Sequence, residues 1–291
     1  MDFNLLAQLT VSGLVVGSTY ALLGVSFGVI YATTKIFHLA HAVAYAGAAY
    51  GAVWASETLG LGFWPSLVAG LVAAVVLGVL IELLLYRPMR RRNATLLTIF
   101  LVSLGVSVAF PNVLQLAFGP ENKTLDRPDN PTYGWGDVTI SRMDVATVVV
   151  CWVLVTAVAL FLARTRFGRS VTGLRTNPTM AAAVGIDSRK VYVAVFAIGS
   201  ALVGVAGLLF VSKGVATPTM GLSPVLTGFI AAFLGGIGSQ WGAAVGGLAL
   251  GLVSSWSAMW LQVDYGPVVV FGAMFLVLLI RPQGLFGKAA V

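Results

Sequence analysis

Residues 164–190 read RTRFGRSVTGLRTNPTMAAAVGIDSRK, from Arg164 to Lys190. Six cations (Arg164, Arg166, Arg169, Arg175, Arg189, Lys190) face one acid, Asp187, and long apolar runs flank the stretch on both sides. Membrane-spanning chains keep such basic breaks in the cytoplasm, so these residues decide both fold class and orientation. A short helix is written inside the break. Asn177 is a favoured N-cap, Pro178 suits the first helical position where its missing N–H costs nothing, and Gly185 can take the left-handed conformation that closes a helix. The intervening PTMAAAV is about two turns, too short to stand alone, so packing must hold it. Asn177, Ala181 and Gly185 are spaced by four and define one face of small residues that another surface can approach closely. Two readings stay open: an ordinary cytoplasmic connector, and a docking helix for a cytoplasmic partner.

Composition agrees with membrane spans. Hydrophobic residues make up 58% and charged residues only 9%, against about 25% charged in soluble domains. The net charge of +7 does not indicate nucleic acid, because the basic residues sit in a few loops between spans, where they act as topology signals. The single cysteine, Cys151, lies in an apolar run and excludes a disulfide framework or a cysteine metal site. The start MDFNLL opens with an acid rather than a basic n-region, and the apolar run after it is too long for a cleaved signal, so the first span is expected to be retained.

Working outward, apolar stretches run over about 5–31, 37–56, 63–86, 94–118, 144–163 and 191–211, each near the 20 residues a helix needs to cross. The loop RPMRRRN, Arg87 to Asn93, is the strongest orientation mark, and Pro111 predicts a kink in the fourth span. Residues 119–143, rich in Pro and Gly, predict an irregular external loop. The run 225–239 is short and can be tilted, broken or re-entrant; 243–261 and 267–280 read as two further helices, with a turn at Asp264-Tyr265-Gly266. On one side fall 13 of the 17 Lys/Arg and two of the ten acids. The fold class is therefore all-α, a polytopic transmembrane bundle of about eight or nine spans forming one domain over 1–291, with the N-terminus outside and the C-terminus inside.

The stretch LGGIGSQWGAAVGGLALG, Leu234 to Gly251, lacks the Gly-Lys-Ser/Thr ending of a phosphate loop. Gly238, Gly242 and Gly246, then Gly247 and Gly251, repeat every four residues, the spacing that lets helix backbones meet closely in lipid. His38 and His41 are three apart and read as a pair of interfacial histidines on one helix face, with no acid or cysteine beside them to make a metal site. His41 with Tyr45 can also line a polar path, with Tyr20 as the matching polar group on the first span; the competing reading for Tyr20 is a hydrogen bond between helices. No span carries a charge near its centre, since Glu82 lies a turn before the arginines, which argues against an ion-coupled carrier. No catalytic constellation is visible, so the chain is not expected to be an enzyme, and energy for transport has to come from another subunit.

Motifs spread over almost the whole chain carry a resemblance. They are Gly17-Ser-Thr-Tyr20-Ala21-Leu22, His38-Leu-Ala40-His41, Arg87-Pro88, Gly168-Arg169 with Asn177, Ala181 and Gly185-Ile186, Leu234-Gly-Gly-Ile-Gly-Ser239, and the ending Arg281-Pro282-Gln-Gly284-Leu285-Phe286-Gly287. The ordered set resembles the shorter permease of bacterial ATP-driven (ABC) importers for branched-chain amino acids, whose relatives carry urea and short amides. That resemblance implies an inner-membrane permease working by alternating access. It implies a second homologous permease as heterodimer partner, two cytoplasmic ATPase subunits that bind the ATP and Mg, and a periplasmic binding protein. This chain would hold no cofactor or metal and would contact membrane lipid, not nucleic acid. The helix from Asn177 to Gly185 is similar to the family's coupling helix, which would place ATPase contacts on Arg169, Arg175, Asn177, Met180, Ala181, Gly185 and Ile186. The chain departs from the family's Asn-Phe-Ala-His-Gly element, with His38 for the Asn, Ala42 for the Gly and Val43 for the polar residue that follows. A stand-alone channel or secondary carrier for a small neutral solute such as urea is the alternative.

Overall fold

The computed structural model describes residues 3–236, 238–262 and 265–287. Helices dominate: α1 (Phe3–Thr34), α2 (His41–Leu59) and α3 (Phe63–Leu80), which runs through a π-helical turn (Ile81–Tyr86) into α4 (Arg87–Arg91). Then come α5 (Leu96–Phe118), α6 (Arg142–Arg164), α7 (Arg166–Thr176), α8 (Pro178–Ala183), α9 (Ser188–Val211), α10 (Leu222–Gly235), α11 (Gln240–Ser257) and α12 (Gly266–Ile280). Among the described residues, five helices are each long and apolar enough to cross a membrane: α1, the run Phe63–Arg91, α5, α6 and α9. The pair α10 and α11 makes a sixth if it counts as one broken span. Helix α2 has the length but is built largely of Ala, Gly and Tyr, and α12 is short, so neither belongs to the five. The expected turn at Asp264 and the terminal Lys288 lie outside the described residues.

One expectation is corrected in the loop of 119–143. It is not irregular throughout: Thr132–Trp135 pairs antiparallel with Val138–Ser141 as β1 and β2, around a turn in which Gly136 has φ +63°. Threonine, tyrosine, valine and isoleucine on either side of a Gly-Asp turn are strand formers, and they override the loop signal of the prolines.

The chain forms two compact units. The first holds residues 1–28, 128–156 and 226–291. In it the α11 glycines let backbones meet: a Cβ on Gly247 would strike Ala21 of α1, one on Gly251 would strike Gly17, and one on Gly246 would lie 2.7 Å from the Ala231 carbonyl oxygen. Ile230, Ala231, Leu234, Leu250 and Val270 form one cluster of its core. Gln8 of α1 seats the hairpin by a paired bond, donating to the Thr139 carbonyl at 3.2 Å and accepting from the Thr139 N–H at 2.8 Å.

The second unit, residues 29–127 and 157–225, is arranged around α2. Helices α3 and α9 pack on α2, and α5 reaches it as well. Packing is backbone to backbone where glycine removes the side chain: a Cβ on Gly70 of α3 would strike the Ala48 carbonyl oxygen, and one on Gly207 of α9 the Tyr45 carbonyl oxygen. With small residues at the contacts, dispersion between close backbones replaces the hydrophobic effect that lipid cannot supply. Helix α5, by contrast, leaves Leu97, Leu101, Val108 and Leu116 exposed, the surface expected of a helix facing acyl chains.

Candidate functional site: a buried polar connector and a projecting helix

Two places in the second unit have the character of working parts. The first is the connector from α1 to α2. His38 and His41 are each only 1% exposed, and their ring centroids stand 5.0 Å apart. This corrects the reading of an interfacial pair on one helix face: His38 precedes the helix and His41 opens it, so the turn, not helical spacing, brings the tilted rings together. The Tyr86 hydroxyl donates to Ser103 Oγ at 2.9 Å, and the Ala40 N–H donates to the same oxygen at 2.9 Å. With its proton engaged there, Tyr86 Oη lies 2.8 Å from His38 Nδ1 and can accept its hydrogen. His38 Nε2 is buried with no hydrogen-bond partner. Phe196 of α9 closes the cluster edge-on to His38, centroids 5.0 Å apart.

Tyr86 arrives on the inward face of the helix run. Glu82 and Tyr86, in the π-helical turn, are 1% and 0% exposed and continue the buried stripe of Ser66, Gly70, Ala74 and Gly78 on α3. Glu82 pairs with Arg90 of α4, and the Arg90 guanidinium lies over the Tyr192 ring at 4.7 Å. Sequence reasoning placed Glu82 at the edge of a span and missed this network. The available signal was a single acid eight residues before a run of arginines in an otherwise uncharged helix.

The second place is residues 164–190. Helix α7, absent from the sequence reading, is amphipathic: Val171 and Leu174 are buried while Arg166, Arg169 and Arg175 are exposed. Thr165 caps it through Gly168 N–H at 3.2 Å. In α8, Asn177 Oδ1 accepts from the Met180 N–H at 3.0 Å and Pro178 is the first residue. Gly185 follows with φ +85°, a left-handed conformation that a β-carbon disfavours. Of the small residues Asn177, Ala181 and Gly185, the first and last stay exposed and only the middle one turns inward. Ala181 is buried beside Gly173 of α7, because that contact is what holds so short a helix in place. The outward apolar residues are Met180, 65% exposed, and Val184, 76% exposed; Ile186 is half-buried. Lys35, just after α1, is linked to this stretch: burial, then repulsion from Arg175, lowers its ammonium pKa.

The remaining residues separate by unit. Tyr45 lies on α2, fully buried, its ring 6.4 Å from that of Phe210. Tyr20 belongs to the first unit, where Thr227 of α10 hydrogen-bonds it. Gly238 lies in the break before α11 with φ +91° and is not part of the packing stripe that Gly242, Gly246, Gly247 and Gly251 supply. Among the described residues no group of three His, Cys, Asp or Glu could hold a metal ion.

Comparison with known proteins follows the same lines. The profile of the family described as branched-chain amino acid transport system / permease component matches residues 9–279. The chain is 34% identical over 303 residues to the high-affinity branched-chain amino acid transport system permease protein BraD of Pseudomonas aeruginosa, covering 99% of this chain and 98% of that one. It is 31% identical over 304 residues to the corresponding LivH protein of Escherichia coli, covering 100% and 98%. The probable LivH of Methanocaldococcus jannaschii is 28% identical over 282 residues, covering 91% of this chain and 88% of that one. No solved structure matches significantly.

Proposed function

The chain belongs to the branched-chain amino acid transport permease family, and from that premise we propose that it is the membrane permease subunit of an ABC importer that brings branched-chain amino acids into the cell. It sits in the inner membrane as a multi-pass helical protein. ATP and Mg bind in two cytoplasmic ATPase subunits, a periplasmic binding protein delivers the amino acid, and a second, homologous permease completes a heterodimer. The chain enters with its N-terminus outside, ends inside, and crosses eight or nine times when the short helices are counted.

The observation that carries the coupling assignment is α8 itself, a helix capped at both ends that buries Ala181 and projects Met180 and Val184 from a basic surface. Exposed apolar side chains on a polar loop are an interface waiting for a partner. Arg169 and Arg175 flank that interface and Ile186 braces it from beneath, against Gly173. Movement of α8 passes to α7, which packs on α9, and through α9 to α2. In this reading His41 and Tyr45 of α2 line the solute path, and Tyr20 of α1 is a separate candidate for it. Glycine at the helix contacts lets the spans shift with little side-chain obstruction.

Gly185 tests this reading. No atom lies within 4 Å of where its Cβ would be, so a substituted side chain meets only the left-handed backbone and whatever docks there. Gly185→Trp should leave the protein folded in the membrane while abolishing ATP-driven uptake and recovery of the ATPase with the purified permease. Gly185→Asn, which tolerates the left-handed conformation, should keep a measurable part of both. Normal uptake in Gly185→Trp, or transport by the chain purified without an ATPase, would sink the assignment.

A further inference from the structure

We infer that the arginine-lined cavity at the end of the α3–α4 helix holds the headgroup of an anionic phospholipid. The cavity measures about 220 Å³, far beyond the about 10–15 Å³ that one water needs. Its walls are Glu82 of the π turn, Arg87, Arg90 and Arg91 of α4, and Arg189 and Tyr192 of α9. Four arginines face one carboxylate, and that carboxylate is already engaged with Arg90. The lining therefore carries an excess of three positive charges. Arg90 is fixed from two sides, by Glu82 and by the ring of Tyr192, so its guanidinium is preorganised.

Unmet hydrogen-bonding capacity points to the ligand's chemistry. Arg87 Nε and Arg90 Nη1 are buried donors without partners, and Glu82 Oε2 is a buried acceptor without one. Buried polar groups are rarely left unpaired, and a partner for this set must offer anionic oxygens to the guanidinium donors and an O–H to the carboxylate. A phosphodiester bearing a polyol, as in phosphatidylglycerol, offers both. Location selects lipid over a soluble phosphate ester. The helix run Phe63–Arg91 is one of the five candidate spans, and it exposes Leu80 and Leu84 within three turns of the arginines. One ligand with a charged head and apolar tails matches both surfaces, and basic pockets at span ends bind such headgroups.

Native mass spectrometry of the full-length chain in detergent tests this, with phosphatidylglycerol, phosphatidylcholine and soluble glycerol phosphate titrated separately. A saturable phosphatidylglycerol adduct is expected, at least tenfold tighter than phosphatidylcholine, with glycerol phosphate unable to displace it. Arg91 and Arg189 are exposed, so Arg91→Gln with Arg189→Gln should spare the fold. That pair should weaken the phosphatidylglycerol adduct on the order of 20-fold, at roughly fivefold per cation near a headgroup. Removing the same charge from α7, by Arg166→Gln with Arg169→Gln, should change it less than twofold. Equal binding of the two lipids, saturation by glycerol phosphate at the lipid's own affinity, or equal loss in the α7 pair would overturn the proposal.

Discussion

Helix α2 has 19 residues and buries thirteen; α8 has six and buries one. Seven alanines make α2 a fair helix former in spite of its two glycines, whereas α8 is too short to stand alone. The fold holds them by different means. Helix α2 is enclosed by α3, α5 and α9 and needs no side-chain cap, whereas α8 rests on Ala181 and two caps. A buried helix tolerates little change in volume, while a projecting one tolerates much and spends its exposed residues on a partner. Substitutions around α2 should therefore remove the protein, and substitutions on α8 should remove only the coupling.

The largest effect should come from breaking the enclosure. Gly70→Leu forces a side chain against the Ala48 carbonyl, where overpacking costs about 1–3 kcal/mol or more. Folded protein, measured as the monodisperse peak after detergent extraction, should fall severely; a wild-type peak would show that α3 and α2 do not touch backbone to backbone. Next, Met180→Asp with Val184→Asp should leave that peak unchanged yet cut ATPase recovery about 30-fold, the effect of losing a hot spot worth about 2 kcal/mol. A smaller loss, about 1–3 kcal/mol, is expected from Ser103→Ala, which strands the Tyr86 hydroxyl and the Ala40 N–H in a buried site. It should appear as a lower thermal midpoint, and Ser103→Thr should restore most of it. Asn177→Ala should be mildest, weakening α8 by about 1 kcal/mol, with uptake reduced a few-fold and the thermal midpoint unmoved. Asn177→Asp should preserve uptake, since aspartate caps equally well; failure of that rescue would separate Asn177 from its capping role.

Local signals were legible wherever one residue type has one physical use. Asn177, Pro178 and Gly185 marked α8 because capping, first-turn proline and left-handed glycine act over a few residues. The apolar runs marked the long helices because lipid imposes length and hydropathy on any span. Packing partners were not legible in the same way. Four-residue spacing groups Gly242 with Gly246, which lie against α10, and Gly247 with Gly251, which lie against α1, and it also takes in Gly238, which lies in a break with φ +91°. The same spacing put Ala181 on an outward face that the contact with α7 turns inward.

The amino-acid sequence by itself determined that this is a helical membrane protein, where its polar break lies, and that a capped helix stands in that break. These are properties of short windows, set by backbone chemistry and by transfer into lipid. Tertiary structure alone decided that His38 meets Tyr86 and Ser103, that Glu82 pairs with Arg90 below Tyr192, and that Met180 and Val184 are what α8 presents. Each of those contacts joins residues through a turn, a π-helical segment or a neighbouring helix. Periodicity carries no record of such pairings, because it measures which face a residue is on and not what stands across from it.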